Sequence, residues 1–166
     1  MDVGAFLAVI RGKLPPAPEG LVADFEASLG CKLPEDYREF LVSCNGGHVG
    51  GGLWFKGPTP DGQTADAGVH HVGGFRKENY LSMNWRRECY EGRIPNALLW
   101  IMDDPFGNAI CLGISGDSRG KVYFWDHENE PGDDWDGSIE TAGNIQLLAN
   151  GFVEFVAGLK GRGNDA

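Results

Sequence analysis

LPEDYREFLVSCNGG, residues 33–47, is the stretch whose reading decides the fold. Leu33-Pro34 opens a helix, because Pro suits the first helical position, where its missing N–H costs nothing. Glu35 and Asp36 fall in the positively polarised first turn. Tyr37, Phe40, Leu41 and Cys44 share one face at helical spacing, and Asn45-Gly46-Gly47 stops the helix. Upstream, Leu21, Val22, Phe25 and Leu29 recur at the same period and are followed by Gly30, which predicts an earlier amphipathic helix starting at Glu19. The run PPAP at 15–18 is a stiff connector before it.

Downstream, Leu53, Trp54 and Phe55 predict a short strand, 57–68 a polar loop and 69–75 another strand. Residues 77–90 carry Leu81, Trp85 and Cys89 at four-residue steps, which predicts a third helix with one apolar edge. The period then changes. Apolar runs at 97–102, 108–114 and 121–125, separated by the turn compositions DDPFG and SGDSRG, predict an antiparallel meander. An acidic loop follows at 128–137, and Phe152, Phe155, Val156 and Leu159 mark a closing helix within 151–160. This order is that of an α+β domain, an antiparallel or mixed sheet with helices packed on one face. No repeat or second core is visible, so residues 1–166 are expected to form one domain with its core at about 19–160.

The composition, 42% apolar and 11% aromatic, supplies enough core for 166 residues without disulfide or metal staples. A formal charge of −10 argues against non-specific nucleic-acid binding, which needs clustered Lys and Arg, and favours basic partners. Cys31, Cys44, Cys89 and Cys111 are widely spaced without a CxxC pair, and three fall in apolar-periodic segments, as expected of free thiols in a reducing compartment. The N-terminal MDVGAFLAVIRGK has the charge order opposite to a secretory signal, and no run approaches the roughly 20 apolar residues of a membrane span. A cytoplasmic location without membrane contact is the expectation.

Catalytic and metal motifs fail on their details. GGHVGGG at 46–52 is followed by neither Lys-Ser/Thr nor a helix, so a turn into a strand explains it better than a phosphate loop. GISGD around Ser115 lacks the Gly a nucleophile elbow needs two residues after the serine. Aligning Gly137 with the invariant glycine of a calcium loop puts Gly132 and Gly143 where ligands belong. His70 and His71 are adjacent and in a strand would point to opposite faces, while His48 and His127 are distant in sequence. A zinc site from remote residues, such as Cys44 with His48, is the alternative that spacing leaves open. Asp103-Asp104 are read as turn carboxylates beside Pro105, with an acid–base pair as the rival reading.

Four segments, in this order, resemble the SUKH superfamily, the Smi/Knr-type domain of bacterial immunity proteins and fungal cell-wall regulators: the helix from Glu19, then LPEDYREFLVSCNGG at 33–47, IPNALLWIMDDPFGNAICL at 94–112 and NGFVEFVAGL at 150–159. The resemblance covers about 19–159, with no matching residues claimed in 57–68 or around Trp135. It implies a non-catalytic α+β domain with no active site, metal or cofactor. It further implies an immunity protein, a monomer or weak homo-oligomer, that binds and neutralises a toxin encoded beside it. The −10 charge would then speed encounter with a basic toxin domain such as a nuclease. A regulatory scaffold of the same fold is the second reading, and an enzyme using Asp103, Asp104 or a histidine the third. For the partner surface, Trp54, Trp125 and Trp135 are the candidate aromatic anchors and Asp133, Asp134 and Asp136 the candidate charged contacts. A tryptophan inside an apolar strand is more often core, which applies to Trp54 and Trp125. Trp135, flanked by aspartates in a loop, is the better candidate.

Overall fold

The computed structural model describes residues 1–50, 52–59 and 61–161. The N-terminal apolar patch is a helix that sequence spacing did not disclose. Asp2 accepts a hydrogen bond from Ala5 N (2.7 Å) and caps α1 (Val3–Val9), whose Phe6 is buried and stacks on Phe40. A two-residue strand, β1 (Ile10–Arg11), follows. Helices α2 (Glu19–Leu29) and α3 (Glu35–Ser43) form as expected, α2 ending at Gly30 in the left-handed region (φ +71°) and α3 presenting buried Tyr37, Phe40 and Leu41. Pro34 sits one position before the helix, at the N-cap. Glu26 on α2 is buried and accepts from Leu33 N (3.0 Å), Lys32 Nζ (2.8 Å) and Arg38 Nε (3.2 Å), so one carboxylate ties α2 to the start of α3.

Next come β2 (Gly47–Val49), β3 (Leu53–Pro58), β4 (Thr64–Gly68), β5 (His71–Val72) and α4 (Met83–Cys89). The meander is β6 (Leu98–Asp103), β7 (Ala109–Gly113) and β8 (Val122–Trp125). The chain ends with α5 (Ile139–Ala142), β9 (Ile145–Ala149), α6 (Phe152–Gly158) and β10 (Lys160–Gly161). Among the described residues, seven strands form one sheet in the order β1-β2-β5-β6-β7-β8-β9, and three form a second, β10-β3-β4. All the named pairs are antiparallel.

Two expectations change here. Most of 57–68 is the end of β3 and all of β4, a hairpin held by backbone pairing from Trp54↔Gly68 to Pro58↔Thr64. Its second strand, TADAG, is small and largely exposed, so it offers no apolar alternation to read. The third helix is also shorter than 77–90. Ser82 caps it by accepting from Trp85 N (3.3 Å), which leaves Leu81 buried in a preceding 3₁₀ turn, while Trp85 and Cys89 are exposed.

β6, β7 and β8 are buried along their whole lengths, so both faces of the central sheet are covered. Phe124 meets Phe55 of β3, which in turn meets Phe155 of α6, so the small sheet and α6 lie on that face. Neighbouring strand residues point to opposite faces, and Trp125 meets Tyr90 and Arg93, just beyond α4. The α+β class and the antiparallel sheet agree with the sequence, and α4 with the segment after it adds cover on the second face. The turn after β7 is drawn so tightly that a Cβ on Gly113 would lie 1.8 Å from Ser118 O, so only glycine fits. The buried side chains of both sheets and of α1, α2, α3 and α6 form one continuous cluster.

Candidate functional site

Between Lys121 and Lys160 the chain has no Lys or Arg, yet it carries Asp126, Glu128, Glu130, Asp133, Asp134, Asp136, Glu140 and Glu154. The segment between β8 and α5 gathers most of these. Asp126 starts it by accepting from Glu128 N (2.9 Å) and Asn129 Nδ2 (2.7 Å), and Asn144 Nδ2 donates back to Asp126 O (2.7 Å). Glu130 is held by Arg93, which reaches across from the α4 side at 3.1 Å.

Within this segment the predicted contacts divide by what holds them. Asp133 and Asp134 are exposed, and among the described residues no hydrogen bond engages their carboxylates. Asp136 is exposed but accepts from Thr141 Oγ1 and from Ser138 N (2.9 Å), bonds that draw its pKa below the usual carboxylate range. Trp135 is half-buried, its indole N–H donating to Ser138 O (3.0 Å), which fixes the ring while leaving a face to solvent. Pro131, Gly132, Thr141 and these four residues line an open groove of about 340 Å³.

The other two tryptophans part company with Trp135. Trp125 is fully buried against Tyr90, so it is a core residue and is withdrawn as a partner anchor. Its strand is covered on both sides, which places even its polar edge away from solvent. Trp54 is half-buried on β3 with Lys56 Nζ at 5.4 Å and Lys160 Nζ at 5.3 Å from its ring centre, a locally basic setting that does not extend the acidic surface.

A second concentration of ionisable groups lies at β5 and β6. Of the paired carboxylates, only Asp104 does turn chemistry, accepting from Phe106 N, Asn108 N and Asn108 Nδ2, each at 2.9 Å. Asp103, 4% exposed, instead ends β6 and faces inward. Arg86 of α4 donates to its Oδ2 (2.8 Å) and also to Tyr80 O, and the guanidinium lies 4.8 Å over Trp100. His71 N donates to Asp103 Oδ1 (3.0 Å), and His71 Nδ1 lies 3.0 Å from the same oxygen. Burial pushes Asp103 up to about 6 against the opposing pull of Arg86. Burial, with His48 and Arg86 nearby, holds His71 down to about 4. At neutral pH the carboxylate is therefore ionised and the imidazole neutral.

The expectation that His70 and His71 diverge is corrected. The strand begins at His71, His70 lies just before it, and the two rings come within 3.8 Å. His48 stands directly across from His71 in the β2–β5 register, with ring centres 5.2 Å apart. His70, His71 and Asp103 can each present one ligand atom, all within 4.8 Å of one another, and among the described residues no other trio of His, Cys, Asp or Glu does so. Cys44, considered with His48 for zinc, is a core thiol whose pKa burial raises to about 11. Cys111 is likewise buried and raised, whereas Cys89 is exposed. A groove of about 700 Å³ between the end of α2 and α4 is lined by Ser28, Arg87, Tyr90 and Trp100, and Asp103 and His71 are not among its lining residues. Ser115 sits at the bend between β7 and a 3₁₀ turn, and GGHVGGG leads from α3 into β2. No described helix is long and apolar enough to cross a membrane.

An antiparallel α+β domain of this kind, with the acidic segment displayed beside a pinned tryptophan, is defined by its shape and surface. The chain belongs to the SMI1/KNR4 family (SUKH-1), whose model matches residues 16–158. It is 28% identical over 151 residues to the SPbeta prophage-derived uncharacterized protein YokK of Bacillus subtilis (strain 168), a match covering 82% of this chain and 71% of that protein.

Proposed function

We propose that this protein is a non-catalytic, cytoplasmic immunity protein that binds and neutralises a basic toxin domain through the acidic segment around Trp135. The observation that carries the reading is charge segregation: no Lys or Arg lies between Lys121 and Lys160, and Asp133 and Asp134 are exposed and, among the described residues, free of internal hydrogen bonds beside a half-buried indole. Unpaired exposed carboxylates raise the encounter rate with a cationic surface, and a rigid aromatic supplies area at low entropic cost. Membership of the SUKH family, whose members resemble immunity proteins, supports the role, and the prophage origin of a relative accords with a transferable protection gene.

The test is to recover what co-purifies with the tagged protein from its native cell, then express that partner with and without it. Rescue of growth by the wild type, and loss of rescue with Asp133→Lys/Asp134→Lys, is the expected result. Equal toxicity in both cases removes the immunity role. Several stable housekeeping partners in place of one toxic enzyme would favour the regulatory-scaffold reading instead.

A further inference from the structure

Where β5 meets β6, inside the seven-stranded sheet, the chain carries a different chemistry. We propose that His70, His71 and Asp103 form a binding site for a divalent transition-metal ion of the zinc, cobalt or nickel class. The geometry comes first. One ligand atom from each residue lies within 4.8 Å of the others, and His71 Nδ1 is already 3.0 and 3.2 Å from the two Asp103 oxygens. Two donors bound to one tetrahedral ion at about 2.0–2.2 Å lie about 3.3–3.5 Å apart, so the ion needs little more than the space now bridged by a hydrogen bond. Two imidazoles with one carboxylate suit a borderline cation, whereas calcium and magnesium take mostly oxygen ligands.

The surroundings favour the same assignment. His70 is exposed and His71 only partly covered, so an ion can enter from solvent. Asp103 is fixed by Arg86 on Oδ2 and by the His71 backbone N–H on Oδ1, whose second lone pair is left to the ion, and these bonds provide the outer support that orients ligands. His48 faces His71 across the β2–β5 register, with ring centres 5.2 Å apart, and is not one of the three clustered ligands. The Arg86 charge opposes the incoming dication, so the affinity belongs in the micromolar range and not with that of structural zinc. Occupancy would join β5 to β6 beyond their two backbone-paired positions.

The experiment is titration of the metal-free full chain with Co²⁺, read by its visible d–d absorption, and with Zn²⁺, read by the melting temperature. One equivalent of Co²⁺ should bind with a micromolar Kd, and Zn²⁺ should raise Tm by mass action. His70→Ala, at an exposed position that leaves the core intact, should weaken Co²⁺ at least about tenfold and abolish the Tm rise. Cys89→Ser should change neither. The proposal is overturned if wild type shows no saturable Co²⁺ spectrum, if His70→Ala binds as well as wild type, or if Cys89→Ser removes the signal and so identifies a thiol site. None of these readouts involves the toxin partner, so they stand or fall separately from the immunity role.

Discussion

Carboxylates do opposite work in two regions of this molecule. In the segment between β8 and α5, Asp133 and Asp134 face water with no partner among the described residues, and their charge acts outward. At the end of β6, Asp103 is buried, engaged by Arg86 and His71, and its charge is balanced within 3 Å. Desolvation separates the two cases. An exposed carboxylate keeps its hydration and acts at a distance, whereas a buried one persists only if nearby donors replace the lost water. The tryptophans repeat the contrast, Trp125 giving its surface to the core and Trp135 keeping a face outside.

The sharpest way to break this comparison is to truncate both tryptophans. Trp125→Ala should cost about 3–5 kcal/mol in urea unfolding, through lost burial and the cavity left beside Tyr90. Trp135→Ala should cost much less and show its effect in partner binding; equal losses of stability would erase the distinction. Next in size is Asp103→Ala, which leaves the Arg86 guanidinium half-buried over Trp100 without its carboxylate. A loss of about 2–3 kcal/mol is expected, and a near-neutral result would mean that the pair is incidental.

Glu26 extends the comparison to a second buried carboxylate, and Glu26→Gln should lower stability at pH 7 by about 1 kcal/mol. Burial raises its pKa, but the Lys32 hydrogen bond, the Leu33 N–H and the Arg38 charge together set it below the model-peptide value of 4.5. The folded state therefore binds its proton less readily than the unfolded state. Its contribution is fully present above about pH 4.5 and is lost as pH falls through the depressed folded value. Acid titration of Tm should accordingly fall more steeply in wild type than in Glu26→Gln. The smallest effect belongs to Asp133→Asn/Asp134→Asn, which should leave Tm unchanged within error while slowing association with a basic partner and flattening its salt dependence. A large Tm shift would show that these carboxylates support the fold.

The elements that could be read in advance are those with a repeated period or with clear turn boundaries. α2, α3 and α6 carry Phe25, Tyr37, Phe40 and Phe155 at helical spacing, and the three buried strands of the meander are short apolar runs, with Ile110 and Phe124 among them, bounded by turn compositions. β4 and β9 were not legible because their residues are small or exposed and are held by backbone pairing, as Leu147, 51% exposed, illustrates. α5 is too short to repeat a period, and α1 buries only Phe6, so no spacing marks its face. Among site residues, the acidic segment was visible because its charge is contiguous. The Asp103 cluster was not, since His71 and Arg86 lie 32 and 17 residues away and meet it only through strand pairing and the packing of α4.

Sequence by itself determined the family, the α+β class and the place where negative charge accumulates, because periodicity, turn chemistry and charge runs are local properties of the chain. Tertiary structure alone decided which tryptophan is core, which aspartate is paired and which histidines meet. Burial and cross-strand neighbours are set by the register of residues far apart in the chain, and no local pattern encodes that register.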